Sequence, residues 1–374
     1  MNYWRRTYRS PGLTVTLCLA LFGVVAFRHV PAQASGHALS HAAKKTCRTV
    51  VKRVHGKKRR IKVCTTLKAP PSPQPSHFQG LWSSAVDSAG NVYVVDRAAQ
   101  KVDKLSPSGS VLAVWPVPPD PSTPESPDAD GIAVDPQSNI YITDSIAGRI
   151  IKFSSSGEQL ATWYTPDHGG VPGPNAEHPP LGPIGIALDA AGDLYVSSFD
   201  FCEVQKFSPS GALLATFGHA CPQVEGNKSC SDARHIAPGE LNHPDGIALD
   251  PQGNIYVNDH RSNRVVKLSP SGQQLAVFGP ALAKGEILSG LEGIGVDRDG
   301  NLYVDDGGPP RVLKLSPTGQ PLAQWRAPTG YGVGGDPGFD AQGNLYVTIG
   351  LMSDVGLSKV VKLSPALKVL ATWQ

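Results

Sequence analysis

One sequence pattern recurs six times between Leu81 and the C-terminus, and it restricts the chain to a repeat architecture. Each copy has an apolar stretch that ends in Asp, a short turn, then Asn or Asp, an aliphatic residue, Tyr and a β-branched or small residue. The tyrosines, 43 to 61 residues apart, are Tyr93, Tyr141, Tyr195, Tyr256, Tyr303 and Tyr346. Such a period, built from short strands, is typical of the blades of a β-propeller.

The second half of each repeat supplies two further predicted strands. The third has Lys before an aromatic residue or Leu, and the fourth ends in an aromatic residue that we assign to packing between neighbouring blades. These aromatic residues are Trp115, Trp163, Phe217, Phe278, Trp325 and Trp373. We therefore predict an all-β fold over residues 78–374, a six-bladed β-propeller with four antiparallel strands per blade. Both chain ends contribute whole repeats, so we expect blades 6 and 1 to meet by packing alone.

The repeats resemble the NHL repeat, in which a Gly-led apolar strand is followed by Gly-Asn-aliphatic-Tyr-Val, a loop, a Lys-bearing strand and a Pro-x-Gly turn. The fourth copy, PDGIALDPQGNIYVNDHRSNRVVKLSPSG, is the closest match. The resemblance implies a six-bladed propeller. It implies less about function, because propellers of this family serve as RNA-binding modules, sensor ectodomains and enzymes.

Charge is strongly segregated along the chain. Residues 1–68 contain no Asp or Glu, whereas the residues beyond them carry 19 Lys and Arg against 31 Asp and Glu, a formal charge of −12. A nucleic-acid-binding propeller would need a basic face. The acidic balance of the propeller therefore argues against a nucleic-acid partner.

The first 34 residues have the order of a secretory signal peptide. Arg5, Arg6 and Arg9 precede an apolar run from Leu13 to Phe27, and Ala32-Gln33-Ala34 is a small-residue cleavage site. We predict cleavage near Ala34 and a secreted or cell-surface-associated protein. The alternative is an uncleaved anchor, although the run is shorter than the ~20 residues that span a bilayer.

Residues 35–68 are predicted to contain a basic β-hairpin. Pairing Cys47 with Cys64 leaves His55-Gly56 as a two-residue turn, with Val54 opposite Lys57. We predict a Cys47–Cys64 disulfide as the main stabiliser of this hairpin. The Pro-rich residues 69–77 are predicted to be a linker.

Residues that recur in nearly every repeat are interpreted as scaffold. The Asp that closes each first strand is expected to accept hydrogen bonds from its turn; these are Asp87, Asp135, Asp189, Asp250, Asp297 and Asp340. In four repeats an Asp at the end of the second strand precedes a base by five residues, which predicts loop-bracing ion pairs. The pairs are Asp96 with Lys101, Asp144 with Arg149, Asp259 with Arg264 and Asp306 with Arg311. Repeat three has Ser198 and Glu203 instead, and repeat six has Ile349 and Lys359.

The candidate site lies where the repeats disagree. In a propeller, the loops that enter the innermost strand and those that leave the second strand share the face at which the channel opens, and loops commonly carry function. Immediately before the innermost-strand Gly position the repeats carry Trp82, Asp130, Ile184, Asp245, Glu292 and Gly335. His243 lies beside them, with Asp305 and His260 expected nearby. We therefore predict a ligand site of Asp130, Asp245, Glu292, His243 and Trp82.

Two functions follow from such a site. The first is a non-enzymatic extracellular module, monomeric, that binds a protein, peptide, glycan or small molecule, with the basic hairpin contacting anionic cell-surface polymers or lipid headgroups. The second is a metal-dependent lyase or lactonase-like hydrolase in which Asp130, Asp245 and Glu292 hold Ca²⁺ or Mg²⁺. His178 and His243 each precede Pro shortly before an inner strand, a placement similar to that in propeller lyases. No third His matches, and no catalytic motif is present, so catalytic residues are not assigned.

Three further cysteines lie in the propeller sequence: Cys202, Cys221 and Cys230. Proximity favours a Cys221–Cys230 disulfide, and the alternative is Cys202 with Cys221.

Overall fold

The structure is a computed structural model that describes residues 45–54, 57–66, 78–121, 127–166, 181–218, 239–352 and 357–374, with only the backbone of the first two ranges. The chain divides into two units between Pro70 and Pro71. The signal peptide and linker predicted from the sequence lie outside the described residues, as do Cys221, Cys230 and His178.

The first unit contains an antiparallel hairpin of β1 (Lys45–Val54) and β2 (Lys57–Thr66). Cys47 lies opposite Cys64, and Val54 lies opposite Lys57, which is the register derived from the sequence. The Cys47–Cys64 disulfide stays a prediction, because the side chains of this hairpin are not described.

The second unit consists of six four-stranded antiparallel sheets, each built from consecutive strands. This confirms the six-bladed propeller. Blades 1 to 3 contain β3 (Leu81–Val86), β4 (Val92–Asp96), β5 (Lys101–Leu105), β6 (Val111–Pro116); β7 (Ala129–Val134), β8 (Ile140–Asp144), β9 (Arg149–Phe153), β10 (Gln159–Tyr164); and β11 (Pro183–Leu188), β12 (Leu194–Ser198), β13 (Glu203–Phe207), β14 (Leu213–Phe217). Blades 4 to 6 contain β15 (Pro244–Leu249), β16 (Ile255–Asp259), β17 (Arg264–Leu268), β18 (Gln274–Phe278); β19 (Leu291–Val296), β20 (Leu302–Gly307), β21 (Pro310–Leu315), β22 (Pro321–Arg326); and β23 (Tyr331–Phe339), β24 (Leu345–Leu351), β25 (Ser358–Leu363), β26 (Val369–Trp373).

The position of each strand in its blade explains its composition. The second strand lies within the sheet and is covered on both faces by neighbouring blades, so β4, Val92–Asp96, is buried at every residue. The outermost strand, such as β6, alternates between exposed and covered residues. Apolar clusters form between blades: Tyr93 and Trp115 of blade 1 pack with Ile132 and Ile151 of blade 2. Neighbouring blades therefore stabilise one another.

The aromatic residues that end the fourth strands pack against the Gly turn of the next blade, as predicted. A Cβ atom on these glycines would clash with the rings; the pairs are Trp115 with Gly157, Trp163 with Gly211, Phe217 with Gly272, Phe278 with Gly319 and Trp373 with Gly109. The last pair joins blade 6 to blade 1. In the described residues these two blades share no strand, and the ring is closed there by packing together with hydrogen bonds, such as that from the Leu81 N–H to Ser358 Oγ, which the prediction of packing alone did not include. In blade 6, Leu367 replaces the Gly, at φ 58°, and packs in the same cluster as Trp325.

The strand-closing Asp residues form the scaffold clusters predicted for them. In blade 4, Asp250 accepts hydrogen bonds from the backbone N–H groups of Gln252 and Asn254, from the Asn254 side chain and from the Tyr256 hydroxyl. Lys267 lies 3.5 Å from Asp250 and covers the Tyr256 ring. In each of the other five blades the backbone N–H four residues after the closing Asp donates to its carboxylate in the same way, although blade 3 has Asp193 in place of the Asn. The four predicted Asp–base pairs also form.

The described residues contain no helix with the length and apolar character to cross a bilayer. Their only helical segments are two short 3-10 turns, His260–Ser262 and Ala283–Gly285.

Candidate functional site at the channel mouth

The predicted site residues lie at one end of the blades, which we call the mouth end. There the innermost strand begins opposite the end of the second strand, as in Ala129 opposite Asp144 and Leu291 opposite Asp306. Trp82, Asp130, Asp245 and Glu292 are the second residues of β3, β7, β15 and β19, and His243 directly precedes β15. The turns that contain the strand-closing Asp residues lie at the opposite end, the turn end.

Blades 1 and 2 contribute a cation between two carboxylates. Arg97 Nη1 lies 2.8 Å from Asp130 Oδ1, and the same guanidinium pairs with Asp128. Its central carbon lies 5.2 Å from the ring centre of Trp82, within the range of a cation–π contact. Burial raises the pKa of Asp130 to about 8; Arg97 opposes this rise, whereas Asp128 and Asp245 add to it. Burial therefore favours the protonated form of Asp130 near neutral pH.

Blade 4 contributes two imidazoles, those of His243 and His260, which both lie close to Phe199 of blade 3. The ring centre of Phe199 lies 4.9 Å from that of His243 and 5.9 Å from that of His260. His243 is buried, with Nδ1 2.8 Å from Asn242 Oδ1 and Nε2 3.4 Å from Asp200 Oδ1. These contacts fix the orientation of the His243 ring and keep it inside the protein.

His260 lies nearer to the predicted acids than His243 does. Its Nδ1 is hydrogen-bonded to the Leu291 carbonyl, which makes Nδ1 the protonated nitrogen, and it lies 3.9 Å from Asp245 Oδ2. About a third of the His260 side chain is exposed. His260 therefore belongs to the mouth surface, as expected from the sequence.

The innermost strand of blade 6 departs from the other five. Its pairing with β24 is irregular between Gly334 and Gly338, and β23 approaches β7 and β15 across the channel. Asp336 lies in this bulge, where its Oδ1 accepts a hydrogen bond from the backbone N–H of Ile294, 2.9 Å away. Burial raises the pKa of Asp336 to about 7, although hydrogen bonds from the Ile294 and Ile247 N–H groups oppose the rise. Asp336 thus connects blade 6 to blades 5 and 4.

Asp305 directly precedes Asp306, the acid of the blade 5 ion pair, and is a buried carboxyl group of this end. It is 1% exposed, and neither carboxyl oxygen has a hydrogen-bond partner. Burial raises its pKa well above the ordinary value, and Asp336, Glu292 and Asp306 raise it further. A buried carboxyl group surrounded by like charges favours its neutral, protonated form.

The predicted metal ligands do not form a metal cluster. Among the described residues, no three His, Cys, Asp or Glu side chains are grouped so that they could hold a metal ion. Asp130 interacts with Asp245, whereas Glu292 interacts with Asp305. The Ca²⁺ or Mg²⁺ hypothesis for Asp130, Asp245 and Glu292 stays a prediction.

Sequence reasoning missed Asp336 and Arg97. Asp336 lies four residues before the strand-closing Asp340, and the same count from the other five closing residues gives Gly131, Gly185, Gly246 and Gly293, with Ser83 in blade 1. This count was available from the sequence and would have shown an Asp in place of a repeated Gly. Arg97 directly follows Asp96 and had no counterpart in the repeat, so only the structure shows its contacts with Asp128 and Asp130.

Cys202, in the loop of blade 3, is disulfide-bonded, and its partner lies outside the described residues. Both the Cys221–Cys230 disulfide and the Cys202–Cys221 alternative therefore stay predictions.

Comparison with known proteins agrees with the fold. The NHL repeat model matches residues 241–268, and no curated protein matches the chain. The solved structure of virginiamycin B lyase from Staphylococcus aureus is 14% identical, with a TM-score of 0.51 over 80% of this chain and 85% of the lyase. Regucalcin, a calcium-binding protein from Agrobacterium tumefaciens, is 14% identical, with a TM-score of 0.50 over 73% and 83%. The WD40 repeats of RRP9 are also 14% identical, with a TM-score of 0.50 over 79% and 81%.

These neighbours include enzymes and a repeat domain of another propeller class, and at such identities the likeness shows the fold alone. The matched repeat lies in blade 4, and the other five blades share its four-stranded architecture and its turn-end cluster. The repeat match and the six-bladed structure together support an NHL-repeat β-propeller family for this chain.

Proposed function

We propose that the propeller is a recognition module that binds a positively charged ligand at the mouth end of its channel. The observation that carries the proposal is the group of carboxyl groups contributed there by separate blades, Asp130, Asp245, Glu292 and Asp336. Two of them have pKa values raised to about 8 and about 7. Burial raises both pKa values despite Arg97 beside Asp130 and the backbone hydrogen bonds to Asp336, and an amine or guanidinium of a ligand would add a further charge that favours the ionised forms.

The affinity for a cationic ligand depends on the protonation state of these carboxyl groups. A cationic ligand interacts better with the ionised carboxylates, so its binding must displace protons from Asp336 and Asp130. Affinity for such a ligand should therefore rise between pH 6 and pH 8.5, as both groups ionise. A neutral ligand held by hydrogen bonds alone would not show this dependence.

The experiment is calorimetric titration with spermidine as the cationic probe and maltohexaose as the neutral probe. We expect spermidine to bind more tightly at pH 8.5 than at pH 6, with release of protons, and Asp245→Asn to weaken it roughly tenfold. Asp299→Asn removes the same charge from an exposed residue at the turn end and should leave binding unchanged. Equal loss in both variants would indicate nonspecific attraction to an acidic protein and would defeat the proposal.

The enzymatic alternative, a metal-dependent lyase or lactonase-like hydrolase at the same place, makes a different prediction. It requires Ca²⁺ or Mg²⁺ to stabilise the folded protein through mass action. An increase in melting temperature with either ion, abolished by Asp130→Asn with Glu292→Gln, would favour the enzyme over the recognition module.

We propose in addition that the protein is secreted after cleavage near Ala34 and acts as a monomer, with the basic hairpin holding it to an anionic surface. Each Lys or Arg near such a surface contributes about 1 kcal/mol. Replacing Lys57, Lys58, Arg59 and Arg60 by Gln should abolish sedimentation with phosphatidylglycerol vesicles. Undiminished sedimentation would contradict this role of the hairpin.

A further inference from the structure

The seams between neighbouring blades are joined at one repeated position of the second strand, two residues after Tyr. In blade 2, Thr143 Oγ1 accepts a hydrogen bond from the Gly131 N–H and donates to the Ile184 carbonyl of blade 3. In blade 3, Ser197 makes the same pair of bonds with Gly185 and the Asp245 carbonyl of blade 4. Each bridge requires a donor on the second strand, because its target in the next blade is a carbonyl oxygen.

Blades 4 and 6 preserve the bridge with other donors. Asn258 Nδ2 donates to the Gly293 carbonyl of blade 5, 2.8 Å away. Thr348 Oγ1 donates to the Trp82 carbonyl and so joins blade 6 to blade 1. Blade 1 has the apolar Val95 at this position. A donor is therefore present in four of the five blades that have a polar residue here.

The exception is Asp305 of blade 5. An ionised carboxylate has no proton to donate, yet Asp305 occupies the donor position and is buried. The carbonyl in the equivalent place of blade 6 belongs to Gly335, which lies so close to Gly293 that a Cβ atom on Gly293 would clash with it. Gly335 thus corresponds to Ile184, Asp245 and Trp82 at the other seams.

We infer that Asp305 is a protonated carboxylic acid in the folded protein and that its O–H donates to the Gly335 carbonyl, closing the seam between blades 5 and 6. The charged groups that act on Asp305 are Glu292 of β19, Asp336 of β23 and Asp306 of its own strand, and Asp306 is itself held by Arg311 of β21. All three carboxyl groups favour the protonated form of Asp305. Neither oxygen of Asp305 accepts a hydrogen bond, which agrees with a protonated side chain.

The bridge makes this seam sensitive to pH. The pKa of Asp305 is raised in the folded protein, so its contribution to stability is fully present below the ordinary Asp pKa and is lost as pH rises through the raised value. Ionisation would remove the donor and place a bare carboxylate beside a carbonyl oxygen. The bridges made by blades 2, 3, 4 and 6 use hydroxyl or amide donors, which do not titrate in this range.

The direct test is the carboxyl ¹³C resonance of Asp305 in full-length protein labelled at aspartate Cγ, followed from pH 5 to pH 9. We expect Asp305 in the protonated position at pH 6, whereas Asp297 at the turn end, whose pKa is lowered, is ionised throughout. An ionised Asp305 at pH 6 would overturn the inference. The assignment can come from backbone connectivity and does not require a variant.

The second measurement is amide hydrogen exchange at the seam, expressed as protection factors so that the intrinsic pH dependence is removed. Protection of Gly293 and its neighbours should fall roughly tenfold or more as Asp305 ionises, the effect of losing about one buried hydrogen bond. Asp305→Asn replaces the acid by the donor that blade 4 uses and should make this protection independent of pH. A seam in Asp305→Asn that still loses protection as in the wild type would contradict the inference.

Discussion

The turn end and the mouth end of the blades both carry buried or half-buried carboxyl groups, but in opposite electrostatic settings. At the turn end, burial raises the pKa of Asp250, but hydrogen bonds from Asn254 and the charge of Lys267 outweigh it, and the net pKa is lowered. At the mouth end, burial dominates, and the pKa of Asp336 rises to about 7. The surroundings of Asp250 therefore favour its charged form, whereas burial favours the neutral form of Asp336.

The difference separates scaffold from site. The hydrogen bonds from the turn N–H and from the Tyr hydroxyl to the closing Asp recur in six blades, which is the behaviour of a structural unit. The mouth-end residues Trp82, Asp130, Ile184, Asp245 and Glu292 occupy equivalent positions but differ in size and charge. Buried carboxyl groups without full compensation reduce stability, and groups of this kind cluster at functional sites.

The largest expected effect is at the scaffold. Tyr256 is fully buried, and Tyr256→Ala should lower the free energy of unfolding by about 3–5 kcal/mol in urea denaturation, as for other large buried aromatic residues. Tyr256→Phe keeps the ring and removes only the hydrogen bond to Asp250, which should cost about 1 kcal/mol. Trp82→Ala, at the half-buried mouth position, should cost less than Tyr256→Ala. An equal loss would mean that the two ends contribute alike to stability.

The next effect concerns the glycines, which serve different purposes at the two ends. Near the mouth, a Cβ atom on Gly185 would lie 2.6 Å from the Asp245 carbonyl oxygen and 2.9 Å from Ser197 Oγ. Gly185→Ala should therefore cost about 1–3 kcal/mol through overpacking. At the turn end, Gly253 has φ 78°, and the atom nearest to a Cβ placed on Gly253 would be 3.5 Å away. Backbone conformation, rather than lack of space, therefore limits substitution of Gly253.

Substitution by Asn distinguishes the steric constraint at Gly185 from the conformational constraint at Gly253. Asn tolerates the left-handed conformation better than Ala does, but its side chain is larger. Gly253→Asn should be less destabilising than Gly253→Ala, whereas Gly185→Asn should be more destabilising than Gly185→Ala. Thermal and urea unfolding of the four variants provide the measurement. The same order at both positions would contradict the distinction.

The third prediction uses pH to separate the ends. Asp250, Asp297 and Asp340 have lowered pKa values, so the stability they supply is present above the ordinary Asp pKa and is lost as pH falls below it. Asp336 has a raised pKa of about 7, so its contribution is present at low pH and is lost as pH rises through about 7. Urea denaturation from pH 3 to pH 9 should therefore show losses on both sides, from different ends of the blades.

Two isosteric variants assign these losses. Asp336→Asn can still accept the Ile294 hydrogen bond and should flatten the decline between pH 5 and pH 8. Asp250→Asn should reduce stability at pH 6 and make the acid limb shallower. If Asp336→Asn leaves the decline between pH 5 and pH 8 unchanged, Asp336 is not its source, and the other mouth-end groups with raised pKa values, Asp130 and Asp305, become the candidates.

The fold was predictable because each repeat carries the same sequence pattern, which includes the buried Tyr and the aromatic residue that packs on the turn of the next blade. The placement of Asp130, Asp245 and Glu292 at one end followed from their equivalent positions in the repeats. Asp336 was missed because the candidate residues were taken from the position before the Gly, whereas Asp336 occupies the Gly position itself in blade 6. The isolation of Asp305 could not be predicted, because it depends on which donors and carbonyl oxygens surround it in three dimensions.

The smallest expected effect is at the turn-end position where blade 6 has Leu367 and the other blades have Gly. Leu367 has φ 58° where the other blades have Gly, a conformation that costs a non-Gly residue about 1–2 kcal/mol. Its side chain is only 6% exposed and belongs to the cluster that contains Trp325, which offsets the strain by about 2–3 kcal/mol. Leu367→Gly should therefore destabilise the propeller by only about 1 kcal/mol in urea denaturation, and Leu367→Ala, which keeps the strain and loses the packing, by more. If Leu367→Gly proves stabilising, strain rather than packing dominates at this turn, and the seam between blades 5 and 6 is held mainly at the mouth end.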